Sequence, residues 1–186
     1  MKKFFLTQLF TICLFVAFTS ISVYAQQITQ AEVTFKIKNA GLNVDGSLGG
    51  FKGEINFDPQ NPGSSTMEAS VDVSTIDTGI GMRDKHLKKD DYFDVEKYPR
   101  ISMQSTSIKP AGEGSYEGKF DLTIKGKTQE VVIPFTVDAS NNAYLLKGSF
   151  EINRQDFGVG GNSLTLSDNV TVSIEIEVAH PNGAGR

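Results

Sequence analysis

Residues 116–138, YEGKFDLTIKGKTQEVVIPFTVD, decide the fold class. Tyr116, Phe120, Leu122 and Ile124 fall on one face of an extended chain, opposed by Glu117, Lys119, Asp121 and Lys125. After Lys125-Gly126-Lys127 the alternation resumes, with Val131, Ile133, Phe135 and Val137 set against Glu130, Thr136 and Asp138. Successive side chains of a strand point to opposite faces, so a period of two means one wet face and one buried face. Two such runs joined across a glycine turn form a β-hairpin.

The same period extends in both directions. Upstream, Val33, Phe35 and Ile37 alternate with Thr34, Lys36 and Lys38, Leu42 to Leu48 forms a short strand, and Phe51, Ile55 and Phe57 alternate with Lys52, Glu54 and Asn56. Met67, Ala69, Val71 and Val73 alternate with Glu68, Ser70, Asp72 and Ser74, and Ile101 and Met103 with Ser102 and Gln104. Downstream, Tyr144, Leu146, Phe150 and Ile152 oppose Lys147, Ser149 and Glu151, and Val170 to Val178 alternate with Thr171, Ser173, Glu175 and Glu177. Connectors such as Asp58-Pro59-Gln60-Asn61-Pro62-Gly63 and Ser140-Asn141-Asn142 are turn-forming. Eight or nine strands with short connectors predict an all-β, antiparallel, meandering sheet closed into a barrel of about eight strands, since closure removes exposed edges.

Two segments break the pattern. Gly79 to Lys89 reads as one short helix, with Met82 and His86, and Arg83 and Leu87, four apart. It runs on through Asp90-Asp91-Tyr92-Phe93-Asp94 to Tyr98-Pro99, too long for a hairpin and of the length of a lid or binding loop. The Gly-rich stretch Gln155 to Asp168 is the second.

The N-terminus carries Lys2 and Lys3, an apolar run from Phe4 to Phe18 and a small-residue site at Val23-Tyr24-Ala25. Residues 1–25 therefore read as a signal peptide and 26–186 as a single exported domain, in the periplasm or the external medium. Cys13 lies in that leader, and Gln26 stands where a lipoprotein needs cysteine, so neither disulfide, cysteine-ligated metal nor lipid anchor is expected. Without the leader, 16 basic residues face 22 acidic ones, a balance that argues against nucleic acid or an anionic membrane surface as partner.

An eight-stranded barrel is filled by side chains or encloses one small ligand. Gly53, Gly118 and Gly148 fall in phase with the inward face and suggest unfilled volume, although glycines also serve bulges and bends. The inward apolar residues Phe35, Phe51, Phe57, Met67, Val71, Met103, Phe120, Leu122, Phe135 and Phe150 are the candidate lumen contacts, with Arg83, His86 and Phe93 in the lid connection. Arg83 and His86, about one turn apart, suit a polar head group; ion pairs with Asp84, Asp90, Asp94 or Glu96 that fasten the lid are the competing role.

Catalytic constellations are sparse. His86 and His180 are the histidines, no Gly-x-Ser-x-Gly elbow is present, and one histidine among scattered acids lacks zinc spacing. Gly158-Val159-Gly160-Gly161 precedes a strand, whereas a phosphate loop opens a helix. No catalytic residue, metal or cofactor is therefore assigned.

Ile76-Asp77-Thr78-Gly79, Arg83-Asp84-Lys85-His86-Leu87 and Phe93-Asp94-Val95-Glu96-Lys97-Tyr98-Pro99 resemble the YceI-like family. Phe51-Lys52-Gly53-Glu54-Ile55-Asn56-Phe57-Asp58-Pro59, Leu122-Thr123-Ile124-Lys125-Gly126 and the run Phe150 to Gly160 match its other signatures in order, so that the resemblance covers nearly all of 26–186. The chain departs after Gly160, where Gly161-Asn162-Ser163 leads straight to Leu164 in place of an aromatic residue and a longer loop. The resemblance implies a lipocalin-like periplasmic or secreted barrel that binds, carries or sequesters an amphiphilic polyprenyl or quinone-like lipid; neither catalysis nor stable membrane insertion is expected. The alternative is an exported stress or interaction protein with a solid barrel. A protein partner and an oligomer are both left open.

Overall fold

The computed structural model describes residues 26–140 and 143–179. The proposed leader, Cys13, the Asn141-Asn142 turn, His180 and the C-terminal tail lie outside the described residues. Nine strands follow in order: β1 Ile28–Asn39, β2 Leu42–Ser47, β3 Lys52–Asn56, β4 Thr66–Asp72, β5 Arg100–Gly112, β6 Ser115–Ile124, β7 Lys127–Ala139, β8 Ala143–Asn153 and β9 Leu166–Ala179. Among the described residues one α-helix, α1 Gly81–Leu87, lies between β4 and β5. It is shorter at both ends than the spacing predicts.

All strand pairs are antiparallel, in the order β2-β1-β9-β8-β7-β6-β5-β4-β3. The deciding hairpin is as expected, with Ile124 opposite Lys127 and both Lys125 and Gly126 at positive φ. That is the backbone of a two-residue type I′ turn, whose twist matches the flanking strands. The β1–β2 turn at Ala40-Gly41 repeats it.

The sheet curls but does not close, contrary to the expected closed barrel. Alternating directions across nine strands leave its edges, β2 and β3, running the same way. Parallel neighbours need a crossover of about a dozen residues or more, and residues 48–51 are too few. Instead β3 continues the path of β2 past Gly49-Gly50. Gly50 sits at φ 61°, and a Cβ there would meet the Asp72 side chain at 2.7 Å.

Three contacts bridge the seam. Ser47 and Asp77 exchange backbone hydrogen bonds, Asp72 N donates to Gly49 O, and Gln26 N donates to Ile55 O. The buried Gln26 amide also donates to Phe57 O and accepts from Phe57 N, satisfying both backbone groups.

The strand directions place one set of connections at each end of the curl. The lower end holds residues 57–65 and 113–114 and the end of β7 at Ala139. The upper end holds the β1–β2 turn, the α1 connection, the β6–β7 turn and the 154–165 loop.

Candidate functional site

The inside of the sheet differs between its two ends. At the lower end Phe57 meets Tyr116, Phe135 and Tyr144 edge to face, with ring centroids 4.9, 6.1 and 6.3 Å away, and Tyr116 stacks on Phe135 at 5.4 Å. Ile55, Met67, Ile133 and Val178 are buried in the same core. This aromatic plug is solid.

The upper half is hollow. A cavity of about 330 Å³ lies between the walls of β1, β9, β8, β6, β5 and β4, beneath the α1 connection and the 154–165 loop. Its walls are overwhelmingly apolar: Val33, Phe35, Ile37, Ile101, Met103, Leu122, Phe150, Ile152, Val172 and Ile174 belong to them. Several, including Met103, Val172 and Ile174, are only partly buried although they point inward, which marks them as wall without a filling.

Of the candidate lumen residues, Phe35, Phe51, Val71, Met103, Leu122 and Phe150 line this cavity. Phe57, Met67, Phe120 and Phe135 are instead buried in the packed core. Alternation fixes whether a side chain points inward, and these four do; it does not fix the height along the curl. Wall residues missed earlier include Val33, Ile37, Val172 and Ile174, all in phase on strands already recognised.

The glycines leave no void. A Cβ on Gly118 would collide with the ring of Phe120, one on Gly148 would meet Ile133 Cγ2 at 3.1 Å, and one on Gly53 would meet Glu68 O at 2.6 Å. Their space is taken by neighbours, and the cavity is made elsewhere.

Arg83, His86 and Phe93 all line the upper end of the cavity. Arg83 Nε donates to Thr78 Oγ1 at 2.7 Å and its Nη2 to Thr78 O at 2.6 Å, while the Asp84 carboxylate accepts from Thr78 N. His86 Nε2 lies 3.2 Å from Asp91 Oδ2, and its ring meets Tyr92 edge to face at 5.0 Å. Among the described residues no carboxylate forms an ion pair with Arg83, and the histidine's partner is Asp91, not one of the four acids weighed from the sequence.

The rest of the lid is fastened from Asp90 onward. Lys125 Nζ donates to Asp90 O, and Gly160 N donates to Asp91 O. Gly160, at φ 71°, has no room for a Cβ because the Tyr92 ring covers it. Helix α1 itself buries none of its residues.

One cavity residue was invisible in the sequence. Arg154, 4% exposed, donates through Nη1 to the carbonyls of Val159, Gly160 and Gly161, through Nε to Ser167 O, and through Nη2 to Asp168 Oδ1. It moulds the 154–165 loop into a roof. No carboxylate lines the cavity among the described residues; its polar groups are hydroxyls, Asn39, His86 and the two arginines.

Comparison with known proteins places this architecture. The model of the YceI-like domain matches residues 24–178. The chain belongs to the YceI-like family. A UPF0312 protein of Pseudomonas syringae pv. tomato is 31% identical over 151 residues, 76% of the YceI-like chain and 79% of its own length. A UPF0312 protein of Vibrio cholerae is 35% identical over 104 residues, and that stretch spans about half, 55%, of the relative's length. Among solved structures, Burkholderia cenocepacia BcnA superposes with a TM-score of 0.76 at 27% identity, over 79% of this chain and 95% of its own. A polyisoprenoid binding domain from Saccharophagus degradans superposes at 0.66 and 14% identity, over 84% and 98%, a likeness of fold alone.

Proposed function

We propose that this YceI-like protein is exported, binds an amphiphilic isoprenoid-type lipid, polyprenyl or quinone-like, and carries or sequesters it without chemical change. The apolar tail occupies the upper cavity, and the head group sits among Arg83, His86 and Phe93. The observation that carries the reading is a cavity of about 330 Å³ with apolar walls and polar groups gathered under its lid. That is the lower end of the roughly 300–1,000 Å³ range of small-ligand sites, so a short prenyl chain fits and a longer one extends out through the mouth. The description of the Saccharophagus domain as polyisoprenoid-binding supports the same ligand class.

Burying apolar surface contributes about 25 cal/mol per Å², so the tail supplies most of the affinity and the head group its orientation. The competing reading, a barrel packed solid, accounts for the lower half and not for the upper.

Filling the cavity tests the proposal. Val172 is a partly buried wall residue on β9. Val172→Trp is expected to keep the folded signature in circular dichroism and to lower affinity for geranylgeraniol, measured by calorimetric titration, by at least about tenfold. Equal affinity in a folded variant would remove the ligand from this cavity.

A further inference from the structure

Among the described residues five large apolar side chains are strongly exposed: Leu42, Ile80, Met82, Val132 and Leu164, at 73, 53, 83, 46 and 106%. Four of them surround the cavity mouth. Leu42 lies between Asn39 and Val44, Ile80 and Met82 between Thr78 and Arg83, and Leu164 between Ser163 and Thr165, and every one of those flanking residues lines the cavity. Ala40 N donates to Thr165 O at 2.8 Å, tying the turn that carries Leu42 to the loop that carries Leu164. The rim is thus three separate segments converging on one opening, each presenting an apolar side chain outward.

Charge distinguishes this end from the rest. The rim segments 37–44, 77–91 and 157–167 hold Lys38, Arg83, Lys85, Lys88 and Lys89 against Asp77, Asp84, Asp90 and Asp91, one net positive charge. The other described residues carry ten Lys/Arg against eighteen Asp/Glu. The whole-chain balance repels an anionic surface, but the mouth does not share it, so such a surface orients the molecule mouth first. No helix among the described residues is long and apolar enough to cross a membrane, and the rim offers side-chain insertion at the interface instead.

We propose that the upper rim is a docking surface for an anionic lipid bilayer, with Leu42, Ile80, Met82 and Leu164 inserted among the head groups and the cavity mouth facing the membrane. This rests on the lipid-binding reading: a water-insoluble cargo then passes between bilayer and cavity without crossing open water. Two surface carboxylates suffice as the probe, because Met82 and Leu164 touch neither core nor cavity. Protein purified from its host is floated with vesicles of equal parts phosphatidylcholine and phosphatidylglycerol, and geranylgeraniol affinity is measured separately with the prenol delivered from cyclodextrin.

The wild type is expected to float, and Met82→Asp with Leu164→Asp to lower the partition coefficient by about tenfold for each side chain replaced, with prenol affinity unchanged. A wild type that stays with the aqueous phase, or a double variant that floats equally well, overturns the docking surface. Flotation lost in the variant while neither protein takes up prenol leaves the docking surface standing and overturns the lipid-cavity reading.

Discussion

Arg154 shows how one side chain organises the roof. Its guanidinium satisfies carbonyls of Val159, Gly160 and Gly161 and pairs with half-exposed Asp168. Removing it orphans several acceptors at once, and each unsatisfied buried group costs about 1–3 kcal/mol. Arg154→Met is expected to cost about 2–4 kcal/mol in denaturant unfolding, and Arg154→Lys to recover little, because a single ammonium cannot span the fork. The motif containing Arg154 was legible in the sequence, but its role was not: an arginine at a strand end reads as surface until the loop is seen to fold over it. Tyr144 makes a second case. Burial, followed by the charge of Asp58 and by Tyr116, raises its phenol above the ordinary value. Above pH about 10 the unfolded chain gives up this proton while the folded chain retains it. Its contribution is therefore full below that pH and is lost as pH rises through the folded pKa. Tyr144→Phe is expected to flatten the alkaline limb of stability against pH; an unchanged limb would assign the loss to other groups.

Strands and hairpins were legible because period two and paired positive-φ turns are local signals, as at Ile124-Lys125-Gly126-Lys127. The open seam was not, since it depends on the directions of β2 and β3, which follow from the full strand order. At this seam Gln26 does the work of a missing ladder rung by pairing with Phe57 N and O. Gln26→Ala is expected to destabilise the fold by about 1–3 kcal/mol and to speed amide exchange at Phe57 ahead of the β6–β7 core. The lid is likewise uneven. Its later half is clamped to the 154–165 loop through Gly160, whereas α1 is bound at Thr78 and buries nothing. Gly160→Ala forces a side chain into the Tyr92 ring at a left-handed backbone position, and it is expected to raise exchange rates from Asp91 to Phe93 while leaving β6 protected.

The molecule as a whole is half solid and half hollow, with the division running across the strands. That explains why the inward-phase candidates divide, Phe35, Phe51, Val71, Met103, Leu122 and Phe150 lining the cavity while Phe57, Met67, Phe120 and Phe135 lie in the packed core. Inward phase is written in each strand, but height along the curl depends on register between strands, where the bulges at Ser105/Ser107 and Ile37/Asn39 shift the count. A ligand that binds the folded state alone stabilises it by about 2.7 kcal/mol at a hundred times its Kd, so geranylgeraniol is expected to raise Tm by several degrees in the wild type and by little in Val172→Trp. The central claim, that the hollow half holds an isoprenoid-type lipid, is tested most directly by native mass spectrometry of the protein purified from its own host, with lipid extraction of the bound mass. The account predicts a discrete adduct whose extract contains a prenyl or quinone lipid; a bare chain that also takes up neither polyprenyl nor quinone lipids when they are added would contradict it.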